Sequence, residues 1–223
     1  MIMLAKELIS DVVPALKTSD TGLKALHWME IFRVSHLPIV NNKEFLGLIS
    51  DTDIYDLNMA DEPIGNHNLS LFSPFVQYDQ HVYEVIELVS KLNLTVVPVL
   101  DEKKHYLGLI TMNDLLQYFA VMMAVNNPGG ILVLEQHQND YSITQIAQII
   151  ESNDAKILSL YIRSPEDSMK VEVIIKINRT ELASIIQTFE RFNYTIKASF
   201  MDEDDMDSYY SSRFDSFMRY LNP

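Results

Sequence analysis

Two hydroxyl–carboxylate pairs are the residues best placed for chemistry in this chain: Ser50 with Asp53, and Thr111 with Asp114. Each pair closes the pattern Gly-x-x-Ser/Thr-x-x-Asp, which begins once at Gly47 and once at Gly108. The Gly falls in a strand, the hydroxyl at the strand-to-helix junction, and the carboxylate one turn into the helix. A hydroxyl beside free backbone N–H groups at a helix start suits a phosphate. A carboxylate offers two acceptor oxygens, which suit the vicinal hydroxyls of a ribose. The same spacing also reads as a capping box with Asp in the usual place of Glu, where hydroxyl and carboxylate satisfy orphan helix N–H groups. The two readings are compatible if the cap is exchanged for ligand contacts on binding.

Other reactive constellations are missing from the sequence. His27, His36, His67, His81, His105 and His137 show no metal-ligand spacing, and the absence of cysteine removes thiolate sites and disulfides. Asp51, Asp53 and Asp56 read as partners of a helix dipole in preference to a Mg²⁺ site. No nucleophile–base pair, Gly-rich phosphate loop or Gly-x-Ser-x-Gly elbow occurs, so neither a catalytic residue nor a metal site is expected. His36, two residues before Pro38, is placed to face a phosphate. Arg33 and Lys24 are further cations nearby, read as solvated helix faces.

The elements that position the two pairs form an internal repeat. VSHLPIV from Val34 precedes a polar turn and FLGLISDTDI; LTVVPVL from Leu94 precedes a similar turn and YLGLITMNDL. Pro38 matches Pro98, Ser50 matches Thr111 and Asp53 matches Asp114, at offsets of 60 or 61 residues. Gly22, Ala25, Leu26, Met29 and Phe32 form one apolar helical stripe, and Val82, Val85, Ile86, Val89 and Leu92 form its counterpart. Each unit therefore predicts helix, strand, turn, strand, helix. One unit is too small to cover both faces of its sheet, so two are expected to pack together.

Asn126-Asn127-Pro128-Gly129-Gly130 predicts a break. Beyond it come a strand at 131–135, a helical stripe of Ile143, Ile146, Ala147 and Ile150, and a strand at 156–163. A turn at 164–168 precedes the alternating strand Val171, Val173, Ile175, Ile177. A helix with Leu182, Ile185, Ile186 and Phe189 and a strand from Tyr194 to Phe200 complete a βαββαβ order. The acidic run Asp202 to Asp207 then leads into Tyr210, Phe214, Phe217 and Leu221, which predict a C-terminal amphipathic helix.

Composition narrows the function classes. The net charge of −14 and the lack of any basic stripe argue against nucleic-acid binding. No apolar run of membrane-spanning length occurs, and residues 1–11 lack a signal-peptide pattern. No membrane association and a cytoplasmic location are the expectations. The global charge leaves a single nucleotide possible, since exposed charges are screened beyond roughly 8 Å in physiological salt.

On these motifs the first part of the chain resembles a pair of CBS repeats, about 1–60 and 61–125. The resemblance implies an α/β disc with two clefts for adenosine-containing ligands. It implies Asp53 and Asp114 on ribose hydroxyls, Ser50 and Thr111 beside ribose or phosphate, and an adenine pocket around His36, Pro38, Ile39, Val96 and Pro98. It places Thr18 at the family's first-strand hydroxyl, where the second repeat has Gln77 beside Tyr78, so the two clefts are expected to be unequal. Residues 126–201 resemble a ferredoxin-like ACT domain, and 202–223 form the acidic segment and helix. The combination is similar to the acetoin-utilisation family of small regulatory proteins. The loop 138–142 lacks the Gly that amino-acid-binding ACT domains carry, so no free amino acid is expected there. The function implied is regulatory sensing of AMP, ADP, ATP or S-adenosylmethionine by a non-enzymatic homodimer acting on an unknown target protein, with no cofactor required. A constitutive dimeric scaffold or an accessory subunit without a nucleotide ligand is the alternative.

Overall fold

The computed structural model describes residues 3–57, 60–67, 71, 73–165 and 169–201. In the first repeat Thr21 Oγ1 accepts the Lys24 backbone N–H at 3.3 Å and opens α1 (Gly22–Phe32). β1 (His36–Asn41) and β2 (Glu44–Ser50) follow, then α2 (Asp51–Leu57). The second repeat adds a short strand, β3 (Val76–Gln77), before α3 (Val82–Leu92), which starts at a capping box between His81 and Glu84. β4 (Val96–Leu100), β5 (Tyr106–Thr111) and α4 (Met112–Met122) complete it.

The two hairpins share one register. Pro38 pairs with Leu48 and Pro98 with Leu109, and each hairpin is bulged one residue further on, at Ile39/Val40 and at Val99/Leu100. Gly47 and Gly108 sit opposite these bulges with φ +152°. The motif glycine is therefore a bulge residue, a conformation that a side chain resists. At Gly108 it also permits a close approach. A Cβ there would lie 2.4 Å from Ile9 Cγ2, and the next residue of that segment, Ser10, donates its N–H to Leu109 O at 2.8 Å. The chain before α1 is thus held against β5. Leu16, Ile39, Ile49, Val85, Val96, Val99 and Ile110 are fully buried in one core beneath these hairpins, each contributing about 1.5–3 kcal/mol.

The second half forms β6 (Ile131–His137), α5 (Ile143–Glu151), β7 (Ile157–Arg163), β8 (Lys170–Ile177), α6 (Ala183–Arg191) and β9 (Thr195–Phe200). Its sheet runs β7-β8-β6-β9 with every neighbouring pair antiparallel. Alternation along β8 sends Val171, Val173, Ile175 and Ile177 into a core with Ile146, Ile150, Ile185 and Phe189 from the two helices. The glycines of the sequence break belong to this core's edge. Gly130 N–H donates to Arg179 O and Ile177 N–H to Gly130 O, while a Cβ on Gly129 would sit 1.9 Å from Ile177 O. Contacts divide the chain into two compact units between Tyr118 and Phe119, inside α4. The turn expected at 164–168 is described only at Ser164 and Pro165, and the tail stripe from Tyr210 to Leu221 lies outside the described residues. Among the described residues no helix is long and apolar enough to cross a membrane.

Candidate functional site

Both hydroxyl–carboxylate pairs close the same ring. The Ser50 N–H and Oγ–H donate to Asp53 Oδ2 at 2.8 and 2.7 Å, and the Asp53 N–H donates back to Ser50 Oγ at 3.1 Å. In the second repeat the Thr111 N–H and Oγ1–H donate to Asp114 Oδ2 at 3.0 and 2.6 Å, with the Asp114 N–H on Thr111 Oγ1 at 3.1 Å. The capping box is therefore formed at the start of α2 and of α4. In each ring one carboxylate oxygen takes both bonds, and Oδ1 of Asp53 and of Asp114 has no partner among the described residues. The cap fixes the carboxylate's orientation and leaves an acceptor available to an incoming hydroxyl.

The two carboxylates differ in setting. Asp53 is exposed, whereas Asp114 is half-buried and lines a cleft of about 490 Å³. That volume falls within the roughly 300–1,000 Å³ of small-molecule sites. The cleft also takes Ser10 and Val12 from the segment pinned on β5, Arg33 from the end of α1, Thr95 from the start of β4, and Thr111. The 60-residue offset carries Ser10 and Val12 onto positions 70 and 72, outside the described residues.

His36 lies toward the first repeat's carboxylates. Burial holds its imidazole below the ordinary value of 6.5, with the charges of Asp51 and Asp53 pulling the other way. Its Nδ1 lies 3.1 Å from Thr95 Oγ1, which also accepts the Ser35 N–H at 2.9 Å. Pro38, Ile39, Val96 and Pro98 are buried in their strands, and Ile39 and Val96 belong to the core of the first unit. Thr18 Oγ1 accepts from Asn41 Nδ2 at 2.9 Å. The Gln77 N–H donates to Gln80 Oε1 at 2.6 Å, and Tyr78 donates its hydroxyl to Glu102 Oε1 at 3.0 Å. Neither Thr18 nor Gln77 lines the Asp114 cleft. No group of His, Asp or Glu among the described residues is arranged to hold a metal ion.

Ser10, Val12, Val13 and Thr95 are among the cleft residues that escaped the sequence reading. Thr95 carried a signal, because Ser35 and Thr95 are hydroxyl residues one repeat apart, each three before a strand proline. Ser10 and Val12 carried none, since the close approach at Gly108 and a backbone bond to Leu109 bring their segment to β5.

A family model described as the CBS domain matches residues 5–60 and again 63–121, just over half of the chain. The fold and its twice-built cap define a tandem CBS pair, and the chain belongs to the CBS-domain family. An inosine-5'-monophosphate dehydrogenase of Methanocaldococcus jannaschii is 22% identical over 149 residues, covering 66% of this chain and 30% of that enzyme. The match thus spans under a third of that relative's length. Among solved structures, a CBS domain pair/ACT domain protein from Thermotoga maritima is 23% identical, covers 52% of this chain and 96% of its own, and has a TM-score of 0.47. CBSX2 in complex with AMP is 16% identical, covers 52% of this chain and 95% of its own, and scores 0.45. Both scores lie below 0.5, and family membership stands on the model match.

Proposed function

We propose that the chain is a regulatory sensor that binds an adenine nucleotide or another adenosyl compound in its CBS clefts and performs no chemistry on it. The observation that carries this reading is the Asp114 carboxylate. One oxygen is fixed by the Thr111 cap and the other is unpartnered, at the wall of a cleft of about 490 Å³. Ribose hydroxyls would donate to the unpartnered oxygen. The reading keeps residues 1–125 as the CBS pair and 126–201 as an ACT-like domain, as in the acetoin-utilisation family. It takes the chain to be a cytoplasmic homodimer acting through a partner protein. Open sheet edges, which invite pairing, support association.

The test is calorimetric titration of the protein with AMP, ADP, ATP and S-adenosylmethionine. Binding that is lost in Asp114→Ala supports the reading. The completed capping rings favour one competitor: a constitutive scaffold in which Ser50, Asp53, Thr111 and Asp114 only start helices. Silence from all four compounds at millimolar concentration would give that scaffold the better claim.

A further inference from the structure

Arg33 occupies a position that its residue type does not favour. It ends α1 with φ 56° and ψ 44°, its N–H donating to Met29 O. Left-handed helix ends are usually Gly or Asn, because other side chains crowd the backbone there. The second repeat follows that preference: its counterpart, Asn93, ends α3 at φ 53° and ψ 39°. An arginine kept in this strained conformation points to a use for its side chain.

The cleft supplies that use. Arg33 lines the same 490 Å³ cleft as Thr111 and Asp114. It has no ion-pair partner among the described residues, although acidic residues outnumber basic ones 31 to 17 in the chain. A carboxylate and an unpaired guanidinium in one cleft divide a ligand by charge. Sugar hydroxyls go to Asp114, which repels an anion. A phosphate goes to the guanidinium, whose planar fork matches two phosphate oxygens.

We propose that Arg33 makes the Asp114 cleft selective for phosphorylated adenosine over uncharged or sulfonium adenosyl compounds. The Asp53 side, with Asn93 in the equivalent place, lacks this selection. The proposal rests on the sensor reading above, and adenosine separates the two. Wild type, Arg33→Asn and Asp114→Ala are titrated by calorimetry with adenosine, AMP and S-adenosylmethionine at low and high salt. At the site that Asp114→Ala removes, AMP binds wild type at least about tenfold tighter than adenosine, the worth of a charged hydrogen bond. Arg33→Asn brings AMP down to the affinity of adenosine, leaves adenosine unchanged and flattens the salt dependence. Because Asn suits the left-handed helix end, the variant melts no lower than wild type. Equal AMP and adenosine affinities in wild type, or an AMP preference that survives Arg33→Asn, overturn the proposal while the sensor reading stands. If adenosine and AMP fail to bind while another adenosyl compound binds, the proposal falls and the sensor reading stands; silence from every adenosyl compound brings both down.

Discussion

The Thr95 hydroxyl accepts the Ser35 backbone N–H at 2.9 Å, and the two residues are counterparts across the 60-residue repeat. The contact crosses the seam where β1 meets β4, so a hydroxyl of one repeat satisfies a backbone donor of the other. The same oxygen lies 3.1 Å from His36 Nδ1, and Thr95 lines the Asp114 cleft. One side chain therefore joins the first repeat's polar cluster to the second repeat's cleft.

Thr95→Val keeps the shape and removes the acceptor. An unsatisfied, partly buried donor costs about 1–3 kcal/mol, or very roughly 2–12 °C for a chain of this size. Thr95→Ser is expected to restore most of the loss. Thermal melts of both variants decide it, and a valine variant that melts with wild type would show the bond to be idle.

Gly108→Ala is expected to be worse than an ordinary surface change. The alanine would have to hold φ +152° and push its Cβ to 2.4 Å from Ile9 Cγ2. Such strain costs on the order of 1–3 kcal/mol. The segment carrying Ser10 and Val12 should move away from β5, so ligand affinity falls along with stability. Urea unfolding and nucleotide titration of the variant measure the two effects, and loss of stability with wild-type affinity would separate that segment from the cleft.

His36 predicts an acid-sensitive component of stability. Burial lowers its folded value below the ordinary 6.5, against the opposing pull of Asp51 and Asp53. The unfolded chain then takes up a proton that the folded chain refuses. The stability from neutral His36 is complete above the unfolded value and is lost as pH falls through it toward the lower folded value. Between about pH 7.5 and 5.5, a range that brackets the unperturbed imidazole, wild type should lose more melting temperature than His36→Gln. Superimposed profiles would remove His36 from the acid response.

The repeat and both carboxylate pairs were legible because their signals are local. Helix stripes, the strand prolines and the Gly-x-x-Ser/Thr-x-x-Asp spacing each fall within one repeat, and the 60-residue offset doubled every one. The cleft wall was less legible because it is assembled over long sequence distances. Ser10 reaches Leu109 through a backbone bond that leaves no mark on residue type. Arg33 is exposed, as a solvated helix face predicts, but an apolar stripe does not show that this last residue turns left-handed at the cleft. Pro38 and Pro98 carry two meanings at once, since a repeated proline marks the buried hairpin register as readily as it marks a ligand pocket.

Removing each carboxylate separates capping from binding. Asp53→Ala and Asp114→Ala each delete the acceptor of a backbone N–H and of a hydroxyl at a helix start. Loss of an N-terminal cap costs about 0.5–2 kcal/mol, so both variants should melt below wild type without ligand. The ligand response should differ between them. A ligand at a hundred times its dissociation constant stabilises by about 2.7 kcal/mol, and the half-buried Asp114 lines the described cleft. Asp114→Ala is therefore expected to abolish the shift produced there, while Asp53→Ala retains it. Asp114→Asn tests the assignment further, because the amide keeps one acceptor oxygen but loses the charge. It should recover part of the melting temperature and little of the affinity. Equal loss of the ligand-induced shift in both alanine variants would mean that Asp114 is not the privileged contact. No shift in wild type, with both variants destabilised, would leave the two carboxylates as helix caps and nothing more.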